Sequence, residues 1–158
     1  MVTVLCLMII SAIFFGDLWI KNQIEKDSSL GDGEKVGGER ALLGGKILIR
    51  KHHNKGAVLN AGEKKRSMVA GVSVLMTLVL LPIFILSLGH RGNVPLRLGL
   101  ALLLGGAFSN TYDRLKRKYV VDYISFGVKW NGLRKIVFNI SDFCIIIGAA
   151  ISALAASK

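Results

Sequence analysis

The chain has 158 residues, 52% of them hydrophobic, with a mean hydropathy of +0.52, which is too apolar for an ordinary soluble domain of this size. Its formal net charge is +11, but the basic residues flank apolar stretches and form no separate domain. That speaks against a nucleic-acid-binding module and makes anionic lipid headgroups the natural counter-charge.

Taken in chain order, residues 1–20 carry one charge, Asp17, and predict a first membrane span. The stretch has no basic leading region and no clear small-residue cleavage site, so a retained helix is expected and not a cleaved signal peptide. The connection over residues 21–66 begins polar and glycine-rich, with turn signals at Gly31, Gly33, Gly37 and Gly38. Its second half alternates apolar and basic residues at Ile47, Ile49 and Arg50, which predicts a short strand entering a turn at Asn54 to Gly56. A small sheet lying on the membrane surface accommodates it. Residues 67–89 are free of charge and predict a second span, since about 20 apolar residues cross a bilayer core. Pro82 inside it predicts a kink. A loop at His90 to Asn93 is short, so the third span, residues 94–112, lies antiparallel to the second, with Arg97 snorkelling at its edge. Gly99, Gly105 and Gly106 there permit close helix packing. Loop three, residues 113–135, contains YVVDYISF and a turn at Asn131-Gly132, and residues 136–156 form the fourth span. The expectation is an all-α membrane protein, a four-transmembrane-helix bundle with a small β element, forming one domain over residues 1–158.

A carboxylate in hydrocarbon costs several kcal/mol, so Asp142 in the fourth span marks a site. Asn139 and Asp142 stand at i, i+3 and face the same way. Alone, Asp142 is open to reading as a proton relay, an ion ligand, a packing contact or a catalyst. Asp122 narrows this, because loop three folding back over the bundle brings it toward Asp142. Two close carboxyl groups in a low dielectric hold one proton between them, and such a pair does acid and base work at once. Asn110, Asp113 and Arg114 share one helix face, with Asp113 and Arg114 read as a structural pair and Arg114 as an anchor for a loop through carbonyls or through Asp113 itself. Ser109 has no histidine within reach for a Ser/His arrangement. His52, His53 and His90 are placed in loops, without carboxylate or thiol partners for a metal. Cys6 and Cys144 have no ligand spacing and read as buried thiols.

NKGAVLN, GGAFSNTYDR, YVVDYISF and VFNISD, in that order on four spans, resemble the lipoprotein signal peptidase (signal peptidase II) family, as do Asp17 and Lys21 in GDLWIKN. The resemblance implies an aspartic peptidase of the bacterial cytoplasmic membrane, multi-pass, with its site toward the extracytoplasmic face. It implies cleavage of prolipoproteins before the diacylglyceryl-modified cysteine, without cofactor or metal. It makes Asp122 and Asp142 the catalytic pair. Asp17, Lys21, Asn54, Gly56, Asn110, Asp113, Arg114 and Asn139 match positions that bind substrate or support the site. The family fold adds an extracytoplasmic β-cradle, which suits the strand at Ile47 to Arg50. Departures mark a divergent member: Ala57-Val58-Leu59 where the family continues Ala-Ala-Phe, Ser109 where a glycine precedes the asparagine, and an N-terminus without basic residues. The implied partners are a diacylglyceryl-modified prolipoprotein and membrane phospholipids, with no nucleic acid, and the protein is expected to be a monomer.

The positive-inside tendency points both long loops, residues 21–66 and 113–135, to the cytoplasm. The resemblance places them outside, and the expectation follows the resemblance, since Asp and Glu in the long loop dilute the basic count. Two other functions compete: a non-catalytic lipoprotein-binding membrane protein, and a small ion or proton transporter using Asp142 and Asp113. The clustering of carboxylates at one face, with no relay across the bilayer, disfavours the transporter.

Overall fold

The structure, a computed structural model, describes residues 1–30, 38–56, 66–89 and 92–157. Among these residues the elements are α1 (Val2–Lys26), β1 (Arg40–Leu42), a 3-10 turn at Leu43–Gly45, β2 (Ile47–Asn54), α2 (Arg66–Gly89), α3 (Val94–Lys116), β3 (Val120–Phe126), α4 (Asn131–Arg134) and α5 (Ile140–Ala156). The motif residues Ala57 to Asn60, the turn glycines Gly31, Gly33 and Gly37, and His90 lie outside the described residues.

The helices α1 and α2 are long and apolar enough to cross a membrane, and α5 is a shorter apolar helix. Their large apolar side chains face outward: Leu7, Met8 and Phe15 on α1, Leu75, Leu78 and Leu86 on α2, and Ile146 and Leu154 on α5 are exposed. A soluble domain buries such residues, whereas a lipid-facing helix presents them. The bundle interior has two halves. Away from the sheet it is apolar, built from Cys6, Phe84, Leu100, Ala101 and Leu104. Toward the sheet it is polar, with Asp17, Lys21, Ser109, Asp113, Asn139 and Ser141 all buried.

The central helix is α3, which packs on α1, α2 and α5. It begins at Asn93, whose side chain accepts from Leu96 N at 3.1 Å, and Pro95 in the first turn needs no N–H there. Its glycines set the distance to α5. A Cβ on Gly106 would meet Ser141 O at 2.5 Å, and one on Gly99 would meet Gly148 O at 2.9 Å. The spacing of small residues expected from the sequence therefore brings α3 and α5 nearly backbone to backbone. Helix α2 continues through Pro82 and is tied to α3 by the 3.0 Å contact between the Thr77 and Thr111 hydroxyls. Arg97 is buried, where the sequence reading had it snorkelling. Cys6 is buried as expected, while Cys144 is only partly so.

The three strands form an antiparallel sheet in the order β1-β2-β3. Its connections leave α1 and α3 at their C-terminal ends and enter α2 and α5 at their N-terminal ends, so the sheet sits at one end of the bundle. The strand expected at Ile47 to Arg50 runs on to Asn54. His52 and His53 are therefore strand residues and not loop residues, paired opposite Asp122 and Val121. Their ladder with β3 compensates for the low apolar content that hid them. The expected turn at Asn131-Gly132 is the start of the one-turn helix α4. A bridge between Ile124 and Phe138 ties β3 to the residues that lead into α5.

Candidate active site

Asp142 is the third residue of α5, and Asn139 is that helix's N-cap. Asn139 Oδ1 accepts from Asp142 N at 2.9 Å, and Asp142 Oδ2 accepts from Asn139 N at 3.0 Å. This reciprocal box satisfies orphan amides and fixes the Asp142 carboxylate over the helix start, where the dipole favours negative charge. Asn110 Nδ2 of α3 donates to Asp142 Oδ1 at 2.9 Å.

Asp122 arrives from β3. Asn139 Nδ2 donates to its Oδ1 at 2.6 Å, and Asn54 Nδ2 donates to its Oδ2 at 3.0 Å. One asparagine thus binds both carboxylate residues, through its amide nitrogen to Asp122 and through its amide oxygen and backbone to Asp142. Burial, then the charge of Asp142, pushes the Asp122 carboxyl up to about 7, against the amide bonds from Asn54 and Asn139. Among the described residues neither carboxylate forms an ion pair, although both lie within the field of the Arg114 guanidinium.

Arg114 joins the turn after β2 to α3. Its Nη2 donates to Gly56 O at 3.2 Å and its Nη1 to Asn110 O at 3.4 Å, while Gly56 N donates to Asn54 Oδ1 at 3.1 Å. Among the described residues, buried Arg114 Nε has no hydrogen-bond partner. Of the two anchors expected for Arg114, carbonyls or Asp113, the carbonyls hold, and among the described residues no ion pair joins Arg114 to Asp113. Asp113 Oδ2 instead lies 3.1 Å from Lys21 Nζ and accepts from Val121 N at 3.3 Å. Arg117 Nε stands 3.1 Å from Asp113 Oδ1, an ion pair whose N–H is not aimed at the oxygen. Arg117 lies one turn beyond Asp113 on the same face, and Lys21 comes from α1, a long-range partner that local spacing does not reveal.

Lys21 is fully buried at the junction of α1 and α3. Its Nζ lies 2.8 Å from Asp17 Oδ2 and donates to Ser109 Oγ at 3.0 Å and Asn110 Oδ1 at 2.9 Å. With Asn110 Oδ1 occupied by an ammonium, its Nδ2 is the end left to face Asp142. Asp17 also accepts from Ser109 Oγ at 2.7 Å, Ser141 Oγ at 2.5 Å and Tyr123 OH at 2.8 Å. Every residue expected at the site is therefore in one connected polar network. Sequence reasoning missed four members: Tyr123, Ser141, Arg117 and the hydroxyl role of Ser109. The available clue was position alone, since Tyr123 follows Asp122 and Ser141 precedes Asp142. His53 is apart from this group, stacking on Tyr119 with ring centres 4.2 Å apart and bonding Glu25 Oε1 at 2.8 Å. Among the described residues, no three His, Cys, Asp or Glu side chains are grouped as metal ligands would be.

Comparison with known proteins gives this geometry a family. The chain is 38% identical over 103 residues to the lipoprotein signal peptidase of Alteromonas mediterranea, covering 63% of this chain and 54% of that one. It is 37% identical over 103 residues to that of Moorella thermoacetica, covering 63% of this chain and 61% of the relative. These matches span between about half and three-fifths of the relatives' own length. Two solved bacterial membrane enzymes share the fold at 22% identity. One has a TM-score of 0.78 and matches 97% of this chain and 87% of its own; the other has a TM-score of 0.75 and matches 97% and 92%. The profile described as signal peptidase (SPase) II matches residues 9–158, and the chain belongs to that family.

Proposed function

We propose that this protein is an intramembrane aspartic endopeptidase that removes the signal peptide from lipidated prolipoproteins, with Asp122 and Asp142 as its catalytic pair. The observation that carries this reading is Asn139, which binds Asp122 through its amide and is capped reciprocally with Asp142. Among the described residues no cation pairs with either carboxylate, and burial with the charge of Asp142 pushes the Asp122 carboxyl up to about 7, which favours one proton held between the pair.

Hydrolysis follows from that single proton. A water between the carboxyl groups gives its proton to the ionised member as its oxygen attacks the scissile carbonyl carbon. The protonated member donates to the carbonyl oxygen, and a tetrahedral diol forms. As the C–N bond breaks, the proton taken from water passes to the departing amine of the lipid-modified cysteine. A diol hydroxyl gives its proton back to the pair as the C=O re-forms, so the signal peptide leaves as a carboxylic acid and the pair again holds one proton. Asn54, Asn110 and Asn139 hold the carboxylates in place. Arg114, donating to Gly56 O and Asn110 O, holds the turn after β2 against α3 beside the pair.

The membrane setting suits this substrate. Four spans, α1, α2, α3 and α5, place the sheet and the pair together at one end of the bundle, near the headgroup layer where water reaches them. A substrate helix already in the bilayer enters sideways between helices, with its acyl chains among the phospholipids. The protein works as a monomer in the bacterial cytoplasmic membrane, with the sheet outside. A reporter fused after Lys158 tests the orientation, and phosphatase activity from an external C-terminus would reject it.

The function is tested with purified protein and a diacylglyceryl-modified precursor, beside its unlipidated control. Only the lipidated form is expected to be cut, and Asp122→Asn or Asp142→Asn each abolishes cleavage while the protein stays folded. Normal turnover by either variant removes the mechanism. Binding without hydrolysis by the unaltered chain makes it a non-catalytic lipoprotein-binding protein.

A further inference from the structure

Asp17 does not contact either proposed catalytic carboxylate, yet it receives a hydroxyl from the sequence neighbour of each. Tyr123, which follows Asp122, donates its OH to Asp17 Oδ1 at 2.8 Å, and Ser141, which precedes Asp142, donates its Oγ to Asp17 Oδ2 at 2.5 Å. A buried carboxylate on α1 is thus the common anchor of β3 and α5. The same Tyr123 hydroxyl accepts from Ile140 N at 3.2 Å. That amide is the first of α5 and has no partner within its helix, because initial helical N–H groups never do. The Tyr123 backbone N donates to Phe138 O at 2.8 Å, so one residue grips the α5 approach from both its main chain and its side-chain end.

We infer that Tyr123 is a positioning residue, whose hydroxyl, clasped between Asp17 and the first amide of α5, fixes the offset of β3 against α5 and with it the approach of the two carboxylates. This rests on the peptidase reading above. Alternate side chains of a strand point to opposite faces, so Tyr123 points away from the face that carries Asp122 and does not contact the reacting atoms. Its phenol is buried, and burial with the charge of Asp17 holds its proton well above the ordinary range, so the hydroxyl remains a donor to Asp17. A phenylalanine would fill the same space, so packing does not require the oxygen. The oxygen has two buried partners, a carboxylate and an amide, and each is left short when it goes.

The deciding experiment is Tyr123→Phe, measured by turnover of a diacylglyceryl-modified precursor and by hydrogen exchange over Phe138 to Phe143. Hydrogen bonds to charged groups are worth about 1.5–3 kcal/mol, so kcat is expected to fall about 10- to 100-fold with KM within about twofold, and exchange at Ile140 to quicken about tenfold or more. A kcat within twofold of the parent, or a change confined to KM, overturns the inference while leaving the peptidase reading intact. If the parent itself does not cleave, the peptidase reading fails separately, and exchange still decides: unchanged protection at Ile140 overturns the clasp. Should Tyr123→Phe not fold, Ser141→Ala removes the other hydroxyl from Asp17 and is expected to give the same split between kcat and KM; its absence there is equally fatal.

Discussion

Substituting Asn139 separates two jobs that its single side chain performs. As N-cap it satisfies Asp142 N at 2.9 Å, and as donor it reaches Asp122 Oδ1 at 2.6 Å. Serine caps helices as well as asparagine does, but its oxygen lies one bond closer to the main chain than the amide nitrogen that reaches Asp122. Asn139→Ser therefore keeps the cap and loses the contact, whereas Asn139→Ala loses both. Cap loss costs about 1 kcal/mol, and a hydrogen bond to a charged acceptor about 1.5–3 kcal/mol. With each tenfold in rate worth about 1.4 kcal/mol, the serine variant is expected to lose about 10- to 100-fold in kcat through misplacement of Asp122. The alanine variant unfolds more readily by about a further 1 kcal/mol. The amide also favours the ionised form of Asp122, so removing it moves that carboxyl above its present value of about 7. The alkaline limb of kcat against pH should shift to higher pH in both variants. Turnover of a lipidated precursor from about pH 5 to pH 9, with thermal unfolding in detergent, reads all three effects. Full kcat in Asn139→Ser, or a limb that stays put or moves toward acid, would refute the bridging role.

The remaining predictions test the surrounding framework. Asp122 binds its proton more tightly folded than unfolded, so the folded state holds more protons between the ordinary value of 3.8 and about 7. Stability should fall as pH rises through that window, by about 4 kcal/mol in all, and then level off; Asp122→Asn should flatten this dependence in detergent unfolding at stepped pH. Lys21→Met leaves Asp17 and Asp113 buried without their shared cation, and is expected to cost about 3–5 kcal/mol, read as lost folded yield or lowered Tm. Gly106→Ala places a methyl 2.5 Å from Ser141 O, a main-chain atom that cannot swing aside. Overpacking there is expected to cost about 1–3 kcal/mol and to lower kcat by moving α5 with Asp142; unaltered kcat and Tm would show that the α3–α5 approach is looser than this.

Much of the site was legible because its residues contradict their surroundings. Asp142 and Asn139 stand out in an apolar stretch, and Asn110 and Asp113 do the same near the end of another. The glycines of α3 were also readable, because close helix approach has few other solutions. The errors share a different cause. Asp113 and Arg114 are adjacent opposite charges and invite pairing, but adjacent helical residues do not face each other; the partners, Lys21 and Arg117, come from another helix and from the next turn. His52 and His53 lack strand-like apolarity because β2 gains its stability from pairing between β1 and β3, a tertiary effect absent from any local window. Tyr123 and Ser141 looked like filler, since a hydroxyl in an apolar helix or a strand usually bonds locally, and only the fold shows that both converge on Asp17.

The four aspartates near the sheet, three of them buried and Asp142 half-buried, divide by their company, and that division explains why the fold tolerates them. Asp17 takes Lys21 and three hydroxyls; Asp113 takes Lys21, Arg117 and an amide. Two carboxylates and two cations leave that cluster neutral, so its burial costs little beyond desolvation that the bonds offset. Among the described residues, Asp122 and Asp142 receive hydrogen bonds from neutral amides, with the charges of Arg114 and Lys21 at a distance. Giving them an ion pair would lower their pKa and release the proton that a carboxyl pair needs for acid–base work. Lys21 connects the two groups, because it fixes the Asn110 amide with its oxygen toward the ammonium and its nitrogen toward Asp142. The neutral cluster is therefore a rigid support, and the uncompensated pair beside it is where the chain retains a proton that is free to move.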